Sequence, residues 1–383
     1  MKFKHIAFTA VLTTMLTVTF SCCREDTVAE PQFKLWAAAD AHIHTDLKYG
    51  YESFANALRQ SEFGGEGGGE AFDWDIMLHL GDLMGSSDDG QGFPEDSQGV
   101  EVVRQLTSAK KHRREQIYNL LGNHDASSPD EPLHWWFRKW VDPPGETIGY
   151  SRVHSDRRPY PVVGSWERYY FRVGNILFLM MGDRNDGGPP VGRSSNGRGY
   201  PAGSVTRETF DWWVRMVESN SDCIIVTCHH HMLKSTTVGS GPWEGVEGRF
   251  HGSIPDGAPE GAGYLYFVGA DADSGLFECY LEEHPAAIAL WLGGHTHANP
   301  DAYYGGRSHI EEKWGVTFIN VASLSRHHAW YHTTPMSRHL AFTPGSSELR
   351  VRCYLHTSDY ADEGWYPPAE RFVSIGKAFS WDR

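Results

Sequence analysis

Five polar clusters in this chain each follow directly on an apolar run of strand length. They are Asp40-Ala41-His42, Gly81-Asp82, Gly122-Asn123-His124-Asp125, His229, and Gly294-His295-Thr296-His297. The runs before them are Lys34 to Ala39, Trp74 to Leu80, Gln116 to Leu121, Cys223 to Cys228 and Ala286 to Leu292. In open α/β sheets, sites gather on the loops just past the carboxyl ends of strands. The pattern therefore predicts an α/β chain whose strands deliver ligands to one place.

The rest of the chain fits that architecture. Further strands are expected at Tyr169 to Val173, Asn175 to Met181, Val316 to Val321 and Leu349 to Leu355. Helices are expected around Tyr51 to Gln60, Gln98 to Arg114, Pro132 to Trp140 and Thr206 to Glu218. In the last of these, Phe210, Trp213, Val214 and Val217 recur at helical spacing. Such alternation indicates packed layers of helix and sheet. Three Gly-rich stretches, Glu62 to Glu70, Asp183 to Gly203 and Gly239 to Gly263, are candidate rims or lids.

Composition narrows the function classes. A hydrophobic content of 40% with 22% charged residues describes a soluble globular protein. The formal charge of −15 disfavours a nucleic-acid platform, which needs basic surface to displace counterions. It leaves room for a small phosphate ester drawn to a local metal charge.

The first residues read as a targeting signal: Lys2 and Lys4, then the uncharged run Ile6 to Phe20, then Ser21-Cys22-Cys23. The run is short for a membrane span and is expected to be cleaved. A small residue followed by Cys resembles a bacterial lipoprotein processing site, with Cys22 as the lipid-bearing residue. The expected organisation is a signal peptide over 1–21, a tether over 22–33 and one domain over 34–383. Export to the periplasm or cell surface follows, with the membrane engaged only through the anchor, on the outer membrane. Cys223, Cys228, Cys279 and Cys353 form no CxxC pair and are expected to be buried free thiols.

The five clusters hold seven metal-ligand-type side chains: Asp40, His42, Asp82, Asn123, His229, His295 and His297. Mixed carboxylate, amide and imidazole donors suit Mn, Fe or Zn better than Ca or Mg. His124 followed by Asp125 supplies an imidazole able to move a proton beside a carboxylate able to orient it.

With all five elements in order, the chain resembles the calcineurin-like metallophosphoesterase superfamily over roughly residues 34–325. Softer features agree: the apolar strand Ile176 to Asp183, the Trp-bearing helix Thr209 to Glu218, and Phe318-Ile319-Asn320 followed by Ser323. The resemblance implies a four-layer αββα sandwich of two mixed sheets flanked by helices. It implies two divalent metals, one held by Asp40, His42, Asp82 and His297, the other by Asp82, Asn123, His229 and His295. A hydroxide between them would attack phosphorus, His124 would stabilise the transition state or protonate the leaving oxygen, and Asp125 would hold its ring. His230, Arg184 and Asn123 are expected to touch substrate, and His44 and His79 to lie behind the ligands or in the core.

Two departures matter. Gly85 stands where purple acid phosphatases carry a tyrosine, which disfavours that branch. His230-His231-Met232 replaces the usual His-Pro, so the fourth loop departs from the family pattern. The leading expectation is an exported phosphoesterase with a lean to diesters. A phosphomonoesterase of the nucleotidase sort and a non-catalytic surface glycan-binding protein are the alternatives. Among the aromatics, Trp74, Trp213 and Trp291 are expected in the core, and Trp243 and Trp365 are candidates for exposure.

Overall fold

The computed structural model of the chain describes residues 31–84, 95–125, 132–185, 200–241, 263–327 and 334–381. The expected signal segment, Cys22, Gly85 and Trp243 lie outside them. Among the described residues, no helix is long and apolar enough to cross a membrane.

The early strands are β1 Phe33–Ala38, β2 Ile76–His79, β3 Ile117–Asn119, β4 Val163–Gly164, β5 Arg168–Val173 and β6 Ile176–Met181. Next come β7 Ser204–Val205, β8 Ile224–His229, β9 Phe267–Val268, β10 Asp271–Ala272 and β11 Leu290–Gly293. The last six are β12 Ile310–Lys313, β13 Val316–Asn320, β14 Met336–Phe342, β15 Glu348–Leu355, β16 Gly364–Trp365 and β17 Arg371–Ser374. Helices are α1 Ile43–Lys48, α2 Ser53–Phe63, α3 Asp96–Leu106, α4 Trp135–Trp140, α5 Ile148–Ser151, α6 Arg207–Ser219 and α7 Leu276–Glu283.

Two seven-stranded sheets carry the fold. The first runs β16-β15-β14-β1-β2-β3 with β17 also on β15, and the second runs β12-β13-β11-β8-β6-β5-β4. Strands β7, β9 and β10 form a small third sheet. In both large sheets the inner strands are parallel (β1, β2, β3 and β6, β8, β11, β13), while the flanking pairs are antiparallel.

Burial explains the layers. Leu35, Ala37, Ile76 and Leu78 meet Ile176, Phe178, Ile224, Val226 and Leu292 between the sheets. On the outer face of the first sheet, Trp36 and Met77 pack against Phe54, Val102 and Phe137 from the helices. On the outer face of the second, Leu177 and Ile225 pack against Phe210, Trp213 and Phe277. The αββα sandwich is thus present, with inner strands apolar on both faces as buried parallel strands require.

Local differences have local causes. The expected helix Gln98 to Arg114 stops at Leu106, because the Glu62 carboxylate takes the backbone N–H groups of Lys110, Lys111 and His112 at 2.8, 2.7 and 3.0 Å. The strand expected from Ala286 begins only at Leu290, since Ala286 turns with φ 58. Trp74, Trp213 and Trp291 are buried as expected, whereas Trp365 is half-buried beneath the Arg352 guanidinium. Cys223, Cys228 and Cys353 are buried free thiols, but Cys279 is exposed.

Candidate metal centre

Within each sheet the parallel strands point their carboxyl ends the same way, and a polar residue stands at or just past the end of each. Asp40 follows β1, Asp82 follows β2, Asn123 follows β3, Asp183 follows β6, His229 closes β8, and His295 follows β11. Four of the residues expected as ligands, Asp40, His42, Asp82 and His295, hold left-handed backbone with φ of 52, 40, 56 and 66. Non-glycine residues persist there only when the surroundings compel it, and such strain concentrates at functional sites. The glycines before the ligands are steric necessities. A Cβ on Gly81 would lie 2.6 Å from His230 Nδ1, and one on Gly122 would lie 2.2 Å from the Asp82 nitrogen.

Both central carboxylates are built alike. Asp40 Oδ2 accepts the His295 N–H at 2.9 Å, and its Oδ1 faces Nε2 of His297 at 3.1 Å, of His42 at 3.7 Å and of His230 at 3.8 Å. Asp82 Oδ1 accepts the His124 N–H at 2.7 Å. Its Oδ2 faces Nε2 of His230 at 3.2 Å, of His124 at 3.8 Å and of His42 at 4.0 Å. That oxygen is buried and takes no well-directed hydrogen bond among the described residues. One oxygen per carboxylate is thus fixed by backbone and the other is aimed at converging imidazoles.

The imidazoles are held from behind. His42 Nδ1 lies 3.0 Å from the Met84 carbonyl and His230 Nδ1 lies 2.7 Å from the Leu80 carbonyl. A carbonyl accepts only from N–H, so each neutral ring turns a bare Nε2 toward the carboxylates, as metal-ligating histidines do. His295 Nδ1 sits 3.1 Å from Asn123 Oδ1. Ligand atoms of Asp40, His42 and His297, of His42, Asp82 and His124, of Asp40, Asp82 and His230, and of His230, His231 and His295 cluster closely enough to hold cations.

Electrostatics agree with a demand for positive charge. Burial works to raise the Asp40 carboxyl, but the His230, His297 and His42 rings hold it well below the usual carboxylate range. Burial likewise opposes charge on His230, yet Asp82 and Asp40 push it up to about 10.

On the fourth loop it is the His230 ring, not that of His229, that faces the two carboxylates. Ile224, Val226 and Cys228 of β8 face the other sheet, and His230 continues that row at period two, whereas His229 falls on the opposite face with Ile225. The His229 ring turns onto its own loop, with Nδ1 3.0 Å from the His231 N–H. Burial pushes it down to about 3. Among the described residues it joins none of the clustered ligand groups.

Two other expectations land elsewhere. Asp125 directs its oxygens at backbone amides, accepting from Gly122 at 3.0 Å and from Asp82 and Met84 at 2.9 Å. It clamps the second and third loops together, and burial with the adjacent Asp82 charge pushes it up to about 7. Arg184 is buried, with NH1 3.2 Å from Glu167 and its guanidinium over Tyr200. His79 is core, beside Phe54, and burial pushes it down to about 3.

Asp183 and His231 were not foreseen as site residues. Asp183 lies 2.8 Å from His231 Nδ1 and accepts the Gly203 N–H at 2.8 Å, while the His231 and His295 rings are 3.8 Å apart. Asn185 donates to the Asn123 carbonyl at 2.5 Å and steadies the third loop. The signal for Asp183 was available: it too ends an apolar strand run.

The calcineurin-like phosphoesterase family profile matches residues 33–299. No curated protein matches the chain. Among solved structures, vacuolar protein sorting 29 from Cryptosporidium parvum shares 12% identity at a TM-score of 0.35, covering 90% of this chain and 98% of its own. Vps29 from Chaetomium thermophilum shares 10% at 0.30, covering 91% and 97%. A single mutant of Vps29 from Entamoeba histolytica shares 11% at 0.30, covering 89% and 99%.

Proposed function

Since the chain belongs to the calcineurin-like phosphoesterase family, we propose that it is an exported, dinuclear-metal-dependent hydrolase of a small phosphate ester, with diesters favoured. The observation that carries this reading is Asp82 Oδ2, buried, without a well-directed hydrogen bond and ringed by three imidazole nitrogens. A carboxylate oxygen so placed suits a bridge between two cations. The first would take Asp40, His42, Asp82 and His297; the second would take Asp82, Asn123, His295 and His230 in place of His229. The donor set of carboxylate, amide and imidazole favours Mn, Fe or Zn.

When bound, such ions supply Lewis-acid charge to the phosphoryl oxygens and lower the pKa of water. The chain's own part is orientation. Backbone N–H groups of His124 and His295 fix the carboxylates, and the Met84 and Leu80 carbonyls set the tautomers of His42 and His230. His124, less buried than its neighbours and 3.8 Å from Asp82, is placed to give a proton to the departing oxygen.

The test is hydrolysis of an aryl phosphodiester against its monoester by Mn-loaded protein, with His124→Ala alongside. Faster diester cleavage, reduced at least ~100-fold in the variant with metal content intact, is expected from loss of a general acid. Monoester preference would shift the reading to a nucleotidase-like enzyme, and no turnover of either would favour a binding protein. Export rests on the Lys2 to Ser21 pattern and lipid attachment on Cys22. Intact-mass analysis of membrane-fraction protein is expected to find acylated Cys22, and an unmodified mature terminus would exclude the anchor.

A further inference from the structure

Arg338 is 1% exposed and lies in the middle of the first sheet, on β14 between Ala37 of β1 and Cys353 of β15. Along β14, Ser337 and His339 face outward, where they meet His356 and the Asp73 carbonyl. Met336, Arg338, Leu340 and Phe342 share the other face, and Leu340 and Phe342 belong to the core between the sheets. A guanidinium therefore stands inside the sandwich. Its Nε, NH1 and NH2 are all buried, and none has a hydrogen-bond partner among the described residues.

A buried charge is expected to be paired and hydrogen-bonded. No carboxylate of the described residues pairs with this one. Asp301, the acid whose charge reaches the neighbouring His309 and Cys353, makes no ion pair with Arg338 within 4 Å, and its Oδ2 accepts the hydroxyls of Tyr360 and Tyr366 at 2.8 and 2.5 Å. His309 offers no negative charge either. Its Nε2 lies 2.6 Å from the Asn299 carbonyl and so carries the proton. Burial, reinforced by the Arg338 charge, pushes that ring down to about 3.

We propose that Arg338 binds a small monovalent inorganic anion of the halide class between the two sheets. One guanidinium balances one negative charge, which disfavours a phosphate dianion. Its cross-strand neighbours Ala37 and Cys353, and Met336 and Leu340 on the same face of its own strand, bring no side-chain N–H or O–H donors that a polyatomic oxyanion would need. Five N–H groups in one planar fork suit a spherical anion seated at its edge. The site is separate from the metal centre and does not depend on its reading.

The experiment is thermal unfolding of the protein at fixed ionic strength while potassium gluconate is exchanged for potassium bromide, in wild type and Arg338→Met. A ligand that binds only the folded state raises its unfolding temperature by mass action. The expected result is a rise of about 3 °C or more in wild type at saturating bromide and none in the variant. Bromide-independent unfolding of wild type would overturn the proposal, as would an equal shift in Arg338→Met. If that variant does not fold, bromide-soaked wild-type crystals decide. An anomalous peak beside the guanidinium supports the site, and its absence overturns it.

Discussion

Asp82→Asn is expected to lower phosphoesterase turnover by more than ~100-fold and to release at least one equivalent of metal. Loss of a residue merely hydrogen-bonded to a ligand typically costs 10–100-fold in metal affinity or activity, so loss of a bridging charge should exceed that. Asparagine keeps the shape. Its side-chain carbonyl can still accept the His124 N–H now held at 2.7 Å, and it tolerates the left-handed backbone found at this position. What it lacks is negative charge at the oxygen facing His230, His124 and His42. Elemental analysis of metal beside aryl phosphodiester rates separates the outcomes. Full activity with unchanged stoichiometry would sink the dinuclear assignment.

The second large effect distinguishes adjacent histidines. His230→Ala should lose metal and more than ~100-fold in rate, by the same reasoning. His229→Ala should keep metal and most activity, with its cost appearing as lower stability from the emptied volume of a buried ring. The opposite pattern, metal lost only in the His229 variant, would restore the reading drawn from sequence resemblance. Measuring both metal content and melting temperature in each variant prevents a folding defect from passing as a ligand defect.

Much of the site was legible in the sequence because its chemistry obeys strand grammar: an apolar run, a glycine, then a ligand. The first of His229-His230-His231 was taken as the ligand from the resemblance, because residue type alone cannot tell neighbours apart. Strand parity can, and Ile224, Val226 and Cys228 already fixed the row that His230 continues. Asp125 was assigned to its sequence neighbour, whereas the tight turn at Gly122 aims its carboxylate back at the Gly122, Asp82 and Met84 amides. Strand β14 was missed altogether. Met336-Ser337-Arg338-His339-Leu340-Ala341-Phe342 is buried throughout, so it lacks the alternation of a half-buried strand, and its Arg and His argue locally against a core position. Helix α7 was missed too, a short surface element with only Phe277 and Leu281 fully buried.

That missed strand bears on when the site can exist. β1, which leads into Asp40, pairs on one side with β2 and on the other with β14, where Phe33 meets Phe342 some 309 positions later (342 − 33). Every proposed ligand, through His297, precedes β14 in the chain. Contacts of such long range form late, because the intervening loop must be closed before they repay anything. A nascent or proteolytically shortened chain can therefore contain the whole donor set while the sheet that aims Asp40 still has an open flank. Metal loading of the full chain is therefore expected to exceed that of a chain lacking β14, so that loading would report on assembly.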